Sequence, residues 1–163
     1  MKTIALCILG LVLAGCDYTV PLVATPELKL DPVVVGLWQR DLPDGKKERL
    51  LVLPLGETEY LVSFPAETAE AMFARACLVK VGEQTLVQLR WFGTARGNLP
   101  TDGRVYQYAA YSATDGTLSL QLLNSDIVPK DIPATEGLLQ AIAANMDHAD
   151  LFREPMMFQQ VKE

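Results

Sequence analysis

After about residue 33 the chain alternates apolar and polar positions with a period of two, in short runs separated by glycine, proline, asparagine and aspartate. Eight such runs predict strands: Val33 to Arg40, Glu48 to Leu55, Glu57 to Phe64, Ala76 to Val81, Thr85 to Trp91, Arg104 to Ser112, Thr117 to Leu122 and Met156 to Val161. Thr117 to Leu122 alternates most regularly, as a strand with one wet face does. Between Val81 and Thr85 the tight turn Gly82-Glu83-Gln84 makes the clearest hairpin, with Val87, Leu89 and Trp91 facing one way and Gln88 and Arg90 the other.

Two stretches change period. Pro65 to Arg75 is rich in alanine and glutamate, and Ala69, Met72, Phe73 and Ala76 share a side at helical spacing, which predicts one or two helical turns. Thr135 can cap a helix running to about Met146, with Leu138, Leu139, Ile142 and Met146 as its apolar stripe. That stripe suits packing over an end or flank of the sheet, or a partner protein. The expected fold is therefore all-β with minor helix. About eight short antiparallel strands close into a small or flattened barrel that hides its edges. A short helix follows the third strand and a longer one precedes the last.

The first sixteen residues have a different pattern. Lys2 is followed by an apolar run, Ile4 to Ala14, and then by Leu13-Ala14-Gly15-Cys16 at its end. Eleven apolar residues fall short of the roughly 20 that span a bilayer, so the run reads as a secretory signal. Its end resembles the lipobox of bacterial lipoproteins. That resemblance implies cleavage before Cys16, lipidation of Cys16, attachment to the membrane through it, and a bacterial envelope location facing the periplasm. Asp17 resembles the inner-membrane retention signal of enterobacterial lipoproteins and favours the inner over the outer membrane. The division that follows is a signal peptide over 1–15, a lipidated cysteine and extended tether over 16–32, and a barrel domain over 33–163. Three prolines in Asp17 to Pro32 suggest that the tether lifts the domain off the membrane.

Gly36-Leu37-Trp38 resembles the Gly-x-Trp of lipocalin-type barrels, where the tryptophan packs across the closed end, and a helix before the final strand is also lipocalin-like. Residues 36 to 91 further resemble a widespread group of bacterial envelope lipoproteins to which no activity is attached.

Composition then narrows the chemistry. Removing the signal takes Lys2 from 14 basic residues and leaves 13 against 20 acidic ones, a net charge of −7 with no basic stripe. Nucleic acid is thus not an expected partner. Of three cysteines only Cys77 remains after Cys7 is removed and Cys16 lipidated, so no intrachain disulfide is expected. Cys77, beside Val79 and Val81 on one strand face, reads as a small buried hydrophobe. His148 is the single histidine. A hydrolase would have to be built around it, and no serine stands in a nucleophile-elbow context. Neither metal-ligand spacing nor a phosphate-cradling glycine motif occurs, and no cofactor is expected.

Binding is the class that remains. Trp38, Tyr60, Trp91, Tyr106, Tyr108 and Tyr111 are the candidate contacts for a small apolar or amphipathic ligand, or for an envelope protein. On Arg104 to Ser112, Tyr106 and Tyr108 point one way while Val105, Ala109 and Tyr111 point the other. Period alone allows either set to face the barrel interior. A cavity lined by the rings would serve a ligand; an exposed tyrosine face or helix would serve an adaptor or assembly factor.

Overall fold

The computed structural model describes residues 18–162, so the expected signal peptide, Cys16 and Asp17 lie outside the described residues. Eight antiparallel strands form a closed barrel in sequence order: β1 (Gly36–Asp41), β2 (Lys47–Leu55), β3 (Glu59–Phe64), β4 (Met72–Val81), β5 (Gln84–Thr94), β6 (Tyr106–Thr114), β7 (Thr117–Leu122) and β8 (Met156–Gln160). One helix, α1 (Thr135–Ala144), lies between β7 and β8. Strand number, connection order and helix position are those of a small lipocalin-like barrel. The barrel closes through a short seam, where β8 is in register with β1 at Trp38 with Gln160 and Gln39 with Gln159, and the Val161 N–H just beyond β8 donates to the Leu37 carbonyl at 2.8 Å.

Up-and-down connection fixes what lies at each end. The loops after β1, β3, β5 and β7 gather at one end, and those after β2, β4 and β6 at the other, with the entry to β1. We call these the loop end and the entry end. A 3-10 turn, Pro32–Val34, sits at the entry end. Its preceding Asp31 accepts the Val33 N–H through Oδ1 at 3.1 Å, and Val34 is buried. The Trp38 indole donates to the Val34 carbonyl at 2.9 Å, holding this plug to the barrel wall. Tyr60 and Tyr111 complete it. The Tyr60 hydroxyl accepts the Asp31 N–H at 2.6 Å and donates to the Asp31 carbonyl at 3.1 Å, while the Tyr111 hydroxyl donates to Asp31 Oδ2 at 3.2 Å.

Apolar residues form two clusters, one inside the barrel and one outside. The inner one gathers Trp38, Leu50, Val52, Tyr60, Val62, Leu78, Trp91, Leu118 and Phe158. The outer one joins Cys77, Val79, Val81, Leu86 and Tyr108 to Tyr18 and Leu22 of the N-terminal segment and to Leu138 and Ile142 of α1. β4 and β5 are therefore covered on both faces. This explains why Leu78 and Val79, adjacent and pointing opposite ways, are both apolar and buried.

Three expectations change. No helix follows β3. Met72 to Ala76 belong to β4, and the remaining Pro65 to Glu70 form turns, with Glu67 at a φ of 61° and the buried Ala66 donating to the Arg49 carbonyl at 2.7 Å. A left-handed residue there interrupts any helical run. Thr135 does not cap α1; Ala134 occupies that position without a side-chain hydrogen bond. The Thr135 hydroxyl instead donates to the Pro21 carbonyl at 2.6 Å. Residues 18–31 do not stand off as a tether. They run as a strap from the loop end, where Tyr18 pairs with Tyr106, to the entry end, where Leu30 donates to the Glu57 carbonyl. Tyr18 and Leu22 are buried because β4–β6 present an outer apolar face that this segment covers together with α1 and with Leu123, Val128 and Leu151 of the connections flanking α1.

Candidate functional site

Strand register arranges the outer wall of β4–β6 in cross-strand rows. Nearest the entry end lies Val79–Leu86–Ala110, in the outer cluster with α1. The next row is Cys77–Gln88–Tyr108, and the row after it is Arg75–Arg90–Tyr106. The strap crosses these rows, and Gln88 fastens it. Gln88 Oε1 accepts the Leu22 N–H at 2.6 Å and the Val23 N–H at 3.1 Å, and Nε2 donates to the Val23 carbonyl at 3.0 Å. A glutamine side chain can satisfy both kinds of backbone group at once, as an added strand would. The Tyr108 hydroxyl donates to the Val20 carbonyl, and its ring lies 5.1 Å from that of Tyr18.

Where the strap passes the arginine row it leaves a groove of about 300 Å³. Pro21, Val23, Ala24 and Pro26 form one wall. Glu59, Arg75, Arg90 and Tyr106 form much of the other. Arg75 and Arg90 stand directly opposite each other on adjacent strands, an arrangement that is unfavourable unless something negative intervenes. Glu59 partly supplies it. The Arg75 guanidinium donates to both Glu59 carboxylate oxygens, one bond being the 3.0 Å contact from Nε. Among the described residues Arg90 has no ion pair and no hydrogen bond to its side chain, and the Tyr106 hydroxyl has no hydrogen bond. The groove thus combines apolar proline and valine surface with one uncompensated guanidinium and a neighbouring phenol. That lining suits an amphipathic molecule carrying a carboxylate or phosphate.

The barrel interior is a poorer receptacle. Its cavity measures about 80 Å³ and is lined entirely by apolar contact from side chains including Val34, Leu50, Tyr60, Leu78, Ala109 and Tyr111. Ligand sites occupy roughly 300–1,000 Å³, so this space falls below a ligand pocket. Trp38 and Tyr60 hold the plug, and the Trp91 indole donates to the buried Gln107 Oε1 at 2.9 Å. These rings fill the barrel. Burial pushes the Tyr60 hydroxyl up in pKa, and burial reinforced by the Asp31 charge pushes Tyr111 up to about 12.

Of the six aromatic candidates, Trp38, Tyr60, Trp91 and Tyr111 point inward, and Tyr106 and Tyr108 point outward. The outward pair is not an open tyrosine face. Tyr108 is 1% exposed beneath the strap and Tyr106 is half-buried at the edge of the groove. Nor does α1 offer its stripe to a partner, since Leu138 and Ile142 are fully buried against the wall. Both surfaces expected of an adaptor are covered, because the strap and helix lie on the one barrel wall whose outer face is apolar.

Cys77 is 3% exposed, with its thiol pushed up to about 11 by burial and by the nearby Glu59 charge. Such a thiol is a weak nucleophile. His148 is exposed just beyond α1, and its Nδ1 accepts the Asp150 N–H at 3.1 Å. No group of three or more histidine, cysteine, aspartate or glutamate side chains is placed to hold a metal among the described residues.

Sequence reasoning missed Gln88, Arg75 and Arg90 as site residues. The hairpin register held the signal. With Gly82 and Glu83 as a two-residue turn, Val81 faces Gln84, and counting back sets Arg75 opposite Arg90. No protein-family model, curated protein or solved structure matches this chain, so its functional reading rests on the lipobox-like sequence, the barrel and the groove.

Proposed function

We propose that this chain is a lipid-anchored, non-enzymatic binding module of the bacterial envelope, taking a small amphipathic anion in the groove beneath its strap. The anchor is Cys16, as the Leu-Ala-Gly-Cys sequence implies. The observation that carries the binding site is the contrast between the two spaces: about 80 Å³ inside the barrel against about 300 Å³ at Arg90. The closed barrel acts as a rigid support, and the strap supplies the apolar wall. An aliphatic chain of modest length lies along Pro21 to Pro26 while its acidic head meets Arg90 and the Tyr106 hydroxyl.

Calorimetric titration of the detergent-purified full-length protein with decanoate tests this reading, with decanol as the uncharged comparison. Saturable binding of decanoate is expected. Arg90→Ala should weaken it by about tenfold, the order lost with one charge-assisted hydrogen bond. Equal affinity of the wild type and Arg90→Ala for decanoate would refute the assignment. The mass of the mature amino terminus tests the anchor separately, and an unmodified Cys16 would remove it.

A further inference from the structure

The strap sets how far the barrel can stand from its anchor. Tyr18 is 1% exposed, and both its backbone groups bond to Tyr106, N to O at 3.1 Å and O to N at 3.0 Å. Its hydroxyl donates to the Val128 carbonyl at 2.8 Å. Cys16 is only two residues upstream, and two residues of extended chain span at most about 7 Å. A lipid on Cys16 therefore brings the loop end of the barrel to the bilayer surface, since Tyr106 begins β6 at that end.

The loop end carries a feature suited to that position. In the β5–β6 loop Leu99 is 74% exposed, the most exposed large hydrophobic residue among those described. Nearby Phe92 is 43% exposed and stacks on Phe73 at 6.4 Å. The loop is braced rather than open. Thr94 donates to the Asn98 carbonyl at 3.0 Å, Gly97 to the Thr94 carbonyl at 2.9 Å, and Ala95 to the Ala71 carbonyl at 2.7 Å. It also lies beside the strap, for a Cβ on Gly103 would sit 4.0 Å from Thr19 Cγ2. Its cations are matched within the same end, Arg96 by Glu70 and Arg104 by Asp102. A presented leucine flanked by neutralised charge fits the apolar side of a membrane interface, not an anionic headgroup lattice.

We infer that the β5–β6 loop is a membrane-seating element, with Leu99 entering the lipid interface beside the acylated Cys16 and the entry end of the barrel pointing away. This rests on the anchoring of Cys16 proposed above. The occupant is a lipid surface, and its recognition is apolar.

The test uses full-length protein purified from bacterial membranes, carrying Cys77→Ala and a single fluorescent label at either Leu99→Cys or Glu83→Cys. Glu83 lies in the β4–β5 turn at the entry end. Each sample is reconstituted into phosphatidylcholine vesicles with brominated acyl chains, with and without phosphatidylglycerol, and its amino-terminal mass is measured. Several-fold stronger quenching at 99 than at 83, in both lipid mixtures, is the expected result. An acylated protein with equal quenching at the two positions, or more at 83, would overturn the seating alone. Quenching at 99 that appears only with phosphatidylglycerol would overturn the apolar recognition. An unacylated Cys16 would overturn the anchor and the seating together.

Discussion

Replacing Gln88 by methionine removes the strap's fastening while keeping the length of the side chain, so it separates hydrogen bonding from packing. Three bonds to the strap disappear, to the Leu22 N–H, the Val23 N–H and the Val23 carbonyl, together with the weak 3.7 Å bond from Nε2 to Cys77 Sγ. At about 1 kcal/mol net for each, the loss is about 3 kcal/mol. That is a large fraction of the roughly 5–15 kcal/mol that holds a domain folded. Water entering beside the half-buried Val23 would reduce the cost, and the 6% exposure of Gln88 itself limits that relief. Urea unfolding measures the global change. Alkylation of Cys77 under native conditions measures the local one, because Leu22 and Tyr18 belong to the cluster that covers this thiol. An opening eased by 3 kcal/mol should speed labelling about a hundredfold. If Gln88→Met shifts stability by less than about 0.5 kcal/mol and leaves the Cys77 rate unchanged, the strap is not held by Gln88 and the groove lacks its defined wall.

Three further outcomes follow from the same geometry. Folding holds the Tyr111 proton more tightly, its pKa rising from 10.0 to about 12, so this stabilisation is complete below pH 10 and is lost as pH rises towards 12; denaturation across that range should show the fall, and Tyr111→Phe should flatten it. Leu138→Ala, at a fully buried position, should cost about 2–5 kcal/mol by urea unfolding, and a near-neutral result would mean that α1 does not pack as described. Glu59→Gln frees Arg75 beside Arg90 and should tighten decanoate binding by roughly several-fold in low salt; unchanged affinity would place the ligand away from this pair.

The barrel was legible because an antiparallel meander writes itself locally. Turns such as Asp115-Gly116 and alternations such as Thr117 to Leu122 each define one strand and its neighbour. What escaped depended on long-range cover. Ala69, Met72, Phe73 and Ala76 fit a helical stripe, yet Met72–Ala76 pair with β3 and β5, and pairing outweighs weak local propensity. The prolines of the strap said nothing about adhesion, which came from Tyr18 and Leu22. Parity placed Tyr106 and Tyr108 on one face; the strap, α1 and the connections flanking α1 decided that this face would be closed over. The inner volume was legible only as that of a small or flattened barrel; its size depends on how the side chains of every strand meet.

The seam between β8 and β1 gives the barrel a direction of weakness. Ten register pairs join β4 to β5 under a double cover, whereas two join β8 to β1. Fluctuations should therefore part the wall at Trp38–Gln160 long before they reach β4 and β5, and amide hydrogens at the seam should exchange through small local openings. The molecule behaves less like a uniform tube than like a cuff with a clasp: the strap-covered side stays fixed while the opposite edge gives.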